Sequence, residues 1–108
     1  MRELKLYISI PKAVSPLHSD VIHTLIETFR EKLITEFQGL TEYQALGFWR
    51  NPKTKEIEKD SVLVFEILTE SDLEDTKAII ESELRELKKY LRQECFLYSL
   101  SETQFFFI

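Results

Sequence analysis

The middle of the chain, residues 43–68, reads YQALGFWRN, PKTKEIEKD and SVLVFEIL in succession. The first and third blocks are rich in aromatic and β-branched residues, which are typical of strands. The block between them, residues 52–60, is almost entirely polar. We therefore predict two strands, 43–51 and 61–68, that form a hairpin with a long exposed connection.

A strand and a helix are predicted before this hairpin. Apolar and polar residues alternate over 4–10, which indicates a strand with one buried face. Apolar residues then recur every four positions, which predicts a long amphipathic helix over 16–37. Ser15 is its expected N-cap, and Gly39 is expected to supply the left-handed residue that ends it.

A second helix and further strand-like segments are predicted after the hairpin. Ser71 and Glu74 match a capping box, and a leucine repeat follows them, so we place a helix at about 72–92. The segments 95–100 and 104–108 have the composition of strands, with a turn or bulge between them.

The order of these elements is strand, helix, strand, strand, helix, strand. A ferredoxin-like βαββαβ arrangement satisfies this order with right-handed crossovers. The predicted fold class is therefore α+β, with an antiparallel sheet that carries both helices on one face. Residues 1–108 are expected to form one such domain, because a chain of this length supports a single core.

The other face of the predicted sheet is half apolar. Tyr7, Val62 and Val64 point away from the helices if the alternation is regular. Phe105 and Phe107 belong to an apolar run, residues 105–108, whose side chains lie on both sides of a strand. That run either pairs within its own subunit or covers a neighbour, and we favour a second subunit because monomers seldom expose such patches. We assign these five residues to an oligomer interface.

Composition excludes several classes of protein. Hydrophobic residues make up 44% of the chain, and glycine and proline are few, which excludes disordered and collagen-like chains. Fourteen basic and nineteen acidic residues give a net charge of −5. A nucleic-acid partner is not expected, since the average field repels phosphate. No apolar run is long enough to span a membrane, and no signal peptide is apparent, so we expect a cytoplasmic protein.

Catalytic and metal-binding patterns are weak in this sequence. His18 and His23 are five residues apart on one helix and cannot share a metal, so we interpret them as surface or boundary residues. Cys95 is the single cysteine and is interpreted as a small buried residue. No phosphate-binding loop or nucleophile elbow is present. We predict no catalytic residues, no metal and no cofactor.

One cluster is a candidate for ligand binding. Trp49, Arg50 and Asn51 follow one another at a strand end, with Tyr43 nearby. They could bind a small aromatic or anionic ligand by stacking and charge-assisted hydrogen bonds. The alternative is that Trp49 fills the core or a subunit interface, while Arg50 pairs with a carboxylate of the 52–60 segment.

The chain also resembles a known family. Phe37-Gln38-Gly39-Leu40-Thr41, then Ala45-Leu46-Gly47-Phe48-Trp49-Arg50, then Val62-Leu63-Val64 are similar to the pattern of a family of small, functionally uncharacterised bacterial proteins. The resemblance implies a ferredoxin-like fold and no known reaction. The wider ferredoxin-like group includes PII-type signalling proteins and dimeric α+β barrel enzymes.

Three functions remain open at this point. The leading hypothesis is a non-enzymatic homo-oligomeric binding or regulatory module for an unknown ligand. The second is a small-molecule enzyme of the dimeric α+β barrel type, with Trp49 and Asn51 lining a pocket between subunits. The third is an accessory or scaffold subunit whose sheet packs on another protein.

Overall fold

The structure, a computed structural model, describes residues 1–10, 16–91 and 96–108, without the side chains of residues 16–19. Expectations for Ser15, Cys95 and the side chain of His18 lie outside the described residues. The elements are β1 (Arg2–Ile10), α1 (Pro16–Phe37), β2 (Thr41–Arg50), β3 (Ile57–Thr69), α2 (Leu73–Leu91) and β4 (Leu97–Glu102). This order confirms the predicted ferredoxin-like fold.

The four strands form one antiparallel sheet in the order β2-β3-β1-β4. The core lies on one side of the sheet, because alternate residues of β1 and β3 meet both helices there. Its largest member, Phe65, contacts Phe29 of α1 edge to face, with the ring centroids 5.6 Å apart. The buried core residues are Leu4, Leu6, Ile8, Ile26, Phe29, Leu33, Phe37, Phe65, Ile67, Ile80, Leu84, Leu87 and Leu91.

The residue that ends α1 differs from the predicted one. Gln38, not Gly39, has the left-handed backbone, with φ of 73°. The Gln38 N–H donates to the carbonyl of Ile34 at 2.8 Å, and its side-chain amide donates to the carbonyl of Thr35 at 3.2 Å. These bonds satisfy the last turn of the helix and hold Gln38 in this conformation.

The start of α2 also differs from the predicted capping box. The helix begins at Leu73, and the N–H of Thr76 donates to the carbonyl of Asp72 at 2.9 Å, which places Asp72 at the N-cap. The N–H of Ser71 donates instead to the Thr69 hydroxyl, and the Ser71 carbonyl accepts from Arg2 at 2.7 Å. Ser71 therefore lies one residue before the cap.

The hairpin of β2 and β3 extends well past the rest of the sheet. Among the described residues, β1 pairs with β3 from the Arg2–Thr69 pair to the Ile10–Ser61 pair, whereas β2 and β3 remain paired as far as Arg50 and Ile57. Residues 47–60 extend past these β1 pairs and are called the arm. The connection predicted over 52–60 is shorter, because residues 57–60 belong to β3. The Cα radius of gyration is 15.2 Å, above the roughly 13 Å typical of this chain length.

Candidate functional site

The arm carries large apolar side chains on its helix-facing side. Phe48 and Ile57 lie on that side, and Leu46 lies there at the base of the arm. Side chains alternate along each strand, and the register places these three on the same side of the sheet as the core residues. All three are exposed, and Phe48 retains 63% of its surface. The helices that cover the core do not cover these side chains, so an apolar surface is open to a partner.

The opposite side of the arm carries Trp49. Its indole N–H donates to the Asp60 carboxylate at 3.0 Å, and Glu58 lies directly opposite it in the register. Trp49 is 47% exposed, so it lies outside the core of the single chain. An aromatic face beside carboxylates suits a ligand with positive charge or hydrogen-bond donors.

The tip of the arm uses Asn51 and Arg50 as structural residues. The Asn51 side-chain oxygen accepts from the N–H groups of Lys53 and Thr54 at 2.9 and 3.3 Å. The Arg50 guanidinium donates to the carbonyl of Lys55 at 2.6 Å, rather than pairing with a carboxylate as the sequence suggested. Lys55 has a left-handed backbone, with φ of 66°, which closes the turn. The polar atoms of both residues therefore hold the loop in place.

The structure does not bring the four predicted ligand residues together. Trp49 and Arg50 are consecutive in β2 and point to opposite sides of the arm. Tyr43 shares the side of Trp49, but six strand residues separate them by about 20 Å. Its hydroxyl donates to Glu66 at 2.8 Å. Trp49 and Arg50 therefore do not share one side of the arm, and binding of a small aromatic or anionic ligand by these residues stays a prediction.

Two tyrosines cover the predicted interface residue Val64. Val64 lies on the open face, where Tyr7 of β1 and Tyr43 of β2 flank it directly. Its exposure is only 2%, so the expectation of an exposed Val64 is wrong. Tyr7 and Val62 remain partly buried on this face. The tyrosine rings, rather than the valine, form the surface that a partner would meet.

A polar network lies next to these tyrosines. The Lys5 ammonium is 3.2 Å from Glu3 and 3.8 Å from Glu66, which is also the acceptor for Tyr43. The hydrogen bond and charge of Glu3 raise the pKa of Lys5, and the hydrogen bond to Glu66 raises the pKa of Tyr43. The open face therefore combines an apolar strip with a charged one.

The C-terminal residues lie in solvent. β4 ends at Glu102, and the N–H of Thr103 makes one more bond, to the carbonyl of Met1 at 3.1 Å. The prediction of a strand over 104–108 is wrong for the single chain, in which these residues belong to no strand. Phe105 is partly buried, while Phe106, Phe107 and Ile108 are exposed.

The single chain exposes more surface than its mass accounts for. Its accessible area is 7764 Å², against roughly 6,300 Å² for a folded monomer of 12.9 kDa. The excess is about 1,500 Å², and one partner in a standard interface contributes about 800 Å². The arm and the C-terminal residues are among the exposed apolar parts of the described chain.

Other features of the described residues are less informative about function. A cleft between α2 and β4, lined by Leu84, Phe96 and Tyr98, has a volume of about 170 Å³, which is small for a ligand pocket. No group of three or more metal-ligating side chains occurs in the part of the chain that the structure describes. Within those same residues, neither helix is long and apolar enough to cross a membrane.

Sequence reasoning missed several residues that matter at this surface. Phe48 and Leu46 were not assigned to the interface, although their alternation beside Trp49 shows that both sides of this strand are apolar. Asp60 was placed in a loop. The bidentate pair of Arg30 with Glu42, at 2.7 and 3.0 Å, fixes the base of β2 to α1, and only the structure shows it.

Comparison with known proteins identifies similar folds. No family model matches the chain, and no curated protein matches its sequence. Among solved structures, a phage SAM lyase in complex with S-methyl-5'-thioadenosine is similar with a TM-score of 0.63 and 14% identity, over 94% of this chain and 80% of that one. A DUF3240 family protein from Shewanella baltica is similar with a TM-score of 0.55 and 14% identity, over 99% and 96%.

A third similar structure is the periplasmic divalent cation tolerance protein CutA from Archaeoglobus fulgidus, with a TM-score of 0.52 and 14% identity, over 99% of this chain and 88% of that one. At these identities the likeness establishes the fold alone. Small ferredoxin-like proteins of the CutA and DUF3240 types are thus among the structural neighbours of this chain.

Proposed function

We propose that the protein is a homo-oligomeric binding module whose ligand site forms where the arm of one copy meets another copy. The observation that carries this proposal is the excess of about 1,500 Å² of exposed surface together with the apolar arm. Phe48, Leu46 and Ile57 would be buried by association, which is favourable by about 25 cal/mol per Å² of apolar surface before the costs of binding.

The proposed ligand site is built around Trp49. In an assembled protein its indole would form one wall of an interface cleft, with Asp60 and Glu58 beside it. The Trp49 indole and the Asp60 and Glu58 carboxylates together make this side of the arm aromatic and acidic. We therefore propose a small aromatic ligand that carries a positive charge, bound by stacking and by charge attraction.

The fold likenesses are compatible with this proposal. One similar structure contains a bound nucleoside thioether, and another belongs to a protein named for divalent cation tolerance. The bound ligand of the first of these proteins supports a binding role for a chain of this fold. An enzyme of the α+β barrel type remains the alternative, and the observation that would favour it is turnover of a ligand that binds at Trp49.

Self-association through the arm is tested with one charged substitution. Phe48→Lys places an unpaired charge in the proposed interface, so we expect dissociation to folded monomers in light scattering. Tyr90→Lys is the matched control, because Tyr90 is an exposed aromatic residue that belongs to α2 and not to the arm. Wild-type mass for Phe48→Lys would contradict the role of the arm.

Ligand charge is tested with two small probes of similar shape. Trp49 is the only tryptophan, so its fluorescence reports on the proposed site directly. We expect benzamidine to quench it in a saturable way and benzoate to leave it unchanged. Asp60→Asn should weaken the benzamidine response by about tenfold, the effect of losing roughly 1.4 kcal/mol. An equal response to both probes would contradict the proposed charge preference.

A further inference from the structure

The C-terminal segment has no strand partner among the described residues. Thr103 bonds to the carbonyl of Met1, and residues 104–108 belong to no strand. Phe106 is 86% exposed, and Phe107 and Ile108 are also exposed. Paired as a strand, this segment would place apolar side chains on both of its sides.

The outer edge of β2 is the complementary surface. β2 is the first strand of the sheet and pairs with β3 alone in the described chain. It offers ten residues of edge backbone, from Thr41 to Arg50. Both of its sides carry exposed apolar or aromatic side chains, with Leu46 and Phe48 on one and Tyr43 and Trp49 on the other. An added strand with apolar residues on both sides matches this edge.

The geometry of the sheet excludes pairing of this segment with β2 of the same chain. β2 and β4 are the two opposite edges, three strand spacings or about 14 Å apart. Crossing beneath the sheet at about 3.3 Å per residue would use about four residues. Residues 105–108 would then lie under the end of the sheet and not along β2.

We infer that residues 105–108 of one copy add as a strand to the outer edge of β2 in the next copy. This inference rests on the proposed self-association and specifies its contacts. Each copy has one such segment and one such edge, so the contact is heterologous and closes into a ring when the rotation allows. A member of a ring uses two interfaces, and two standard ones take about 1,600 Å² per chain, close to the observed excess.

Photo-crosslinking tests the pairing directly. The photoreactive residue p-benzoylphenylalanine replaces Phe107 in a mixture of unlabelled and nitrogen-15-labelled protein, and the adducts are mapped by mass spectrometry. We expect adducts between copies, concentrated in residues 41–50. The same probe at Tyr90 is the control and should give no adducts in that range. Adducts within one copy, or between copies at β4 or the helices, would overturn the inference.

A charge series separates this inference from the proposed self-association. Phe106→Asp should weaken assembly by about thirtyfold or more, the effect expected for a buried aromatic anchor. Gln104→Asp, which adds the same charge without removing an apolar group, should leave assembly within about threefold. Circular dichroism confirms that both variants are folded.

Failure of the strand pairing and failure of the proposed self-association give different experimental results. If Phe106→Asp keeps the wild-type mass while Phe48→Lys dissociates, the strand pairing is wrong and self-association through the arm stands. If the wild-type protein is itself a monomer at about 20 µM, both proposals fail.

Discussion

Gly39 shows how a single residue type can mislead a sequence interpretation. A glycine directly after an apolar helical repeat predicts a left-handed stop, yet the left-handed residue is Gln38. The left-handed residue comes one position earlier because the Gln38 amide can bond to the last turn. Residue preferences for helix ends do not take this local hydrogen bond into account. The helix could therefore be predicted from the sequence, but the left-handed residue that follows it could not.

Gly39→Ala should therefore stabilise the protein. Gly39 does not have a positive φ, and an added Cβ would meet nothing within 4 Å. We expect the free energy of unfolding to rise by about 0.4–1 kcal/mol in urea denaturation, because alanine restricts the unfolded chain. Gly47→Ala is the contrasting variant, since its Cβ would lie 3.3 Å from Cγ2 of Val62. A loss of about 1 kcal/mol in Gly39→Ala would restore the original interpretation.

Tyr98 provides a titration test. Its hydroxyl donates to Glu81 at 2.6 Å, and this bond with burial raises the pKa of Tyr98 from 10.0 to about 12. The contribution to stability is fully present below about pH 10 and is lost as the pH rises through about 12, because the raised pKa belongs to the folded state. Glu81→Gln should move the pKa of Tyr98 back toward 10.0 in ultraviolet titration, with Tyr98→Phe identifying its signal.

At the scale of elements, the sequence predicted strands and helices well and the length of the hairpin poorly. Residues 57–60 were assigned to the connection because their polarity is reversed relative to burial: Glu58 and Asp60 are half-buried, whereas Ile57 is exposed. Strand prediction relies on apolar residues at the more buried positions, and this stretch lacks that pattern. Trp49, for which the sequence left a core position open, is 47% exposed.

The arm should therefore contribute little to the stability of the monomer. In the Phe48→Lys background, Trp49→Ala should lower the free energy of unfolding by less than about 1 kcal/mol, because Trp49 lies outside the core. Phe65→Ala is the matched comparison and should cost about 3–5 kcal/mol, since Phe65 is fully buried. Similar losses for both substitutions would show that the arm is part of the core.

At the scale of the whole molecule, the proposed self-association would link the exposed features. The apolar arm, the tyrosines of the open face and residues 105–108 lie on different elements, and the fold of one chain covers none of them fully. The sequence predicted a partner from the apolar open face and from the C-terminal run. It did not show that the arm also carries exposed apolar residues, because that depends on how far β2 and β3 pair beyond the described part of β1.

Sedimentation velocity on the wild-type protein over a concentration series tests the central claim most directly. We expect one species at about 20 µM whose mass is a whole multiple of 12.9 kDa. Because the interface is apolar, its mass should stay unchanged when the salt concentration rises from 0.1 to 1 M. A species of 12.9 kDa throughout the series would contradict the account.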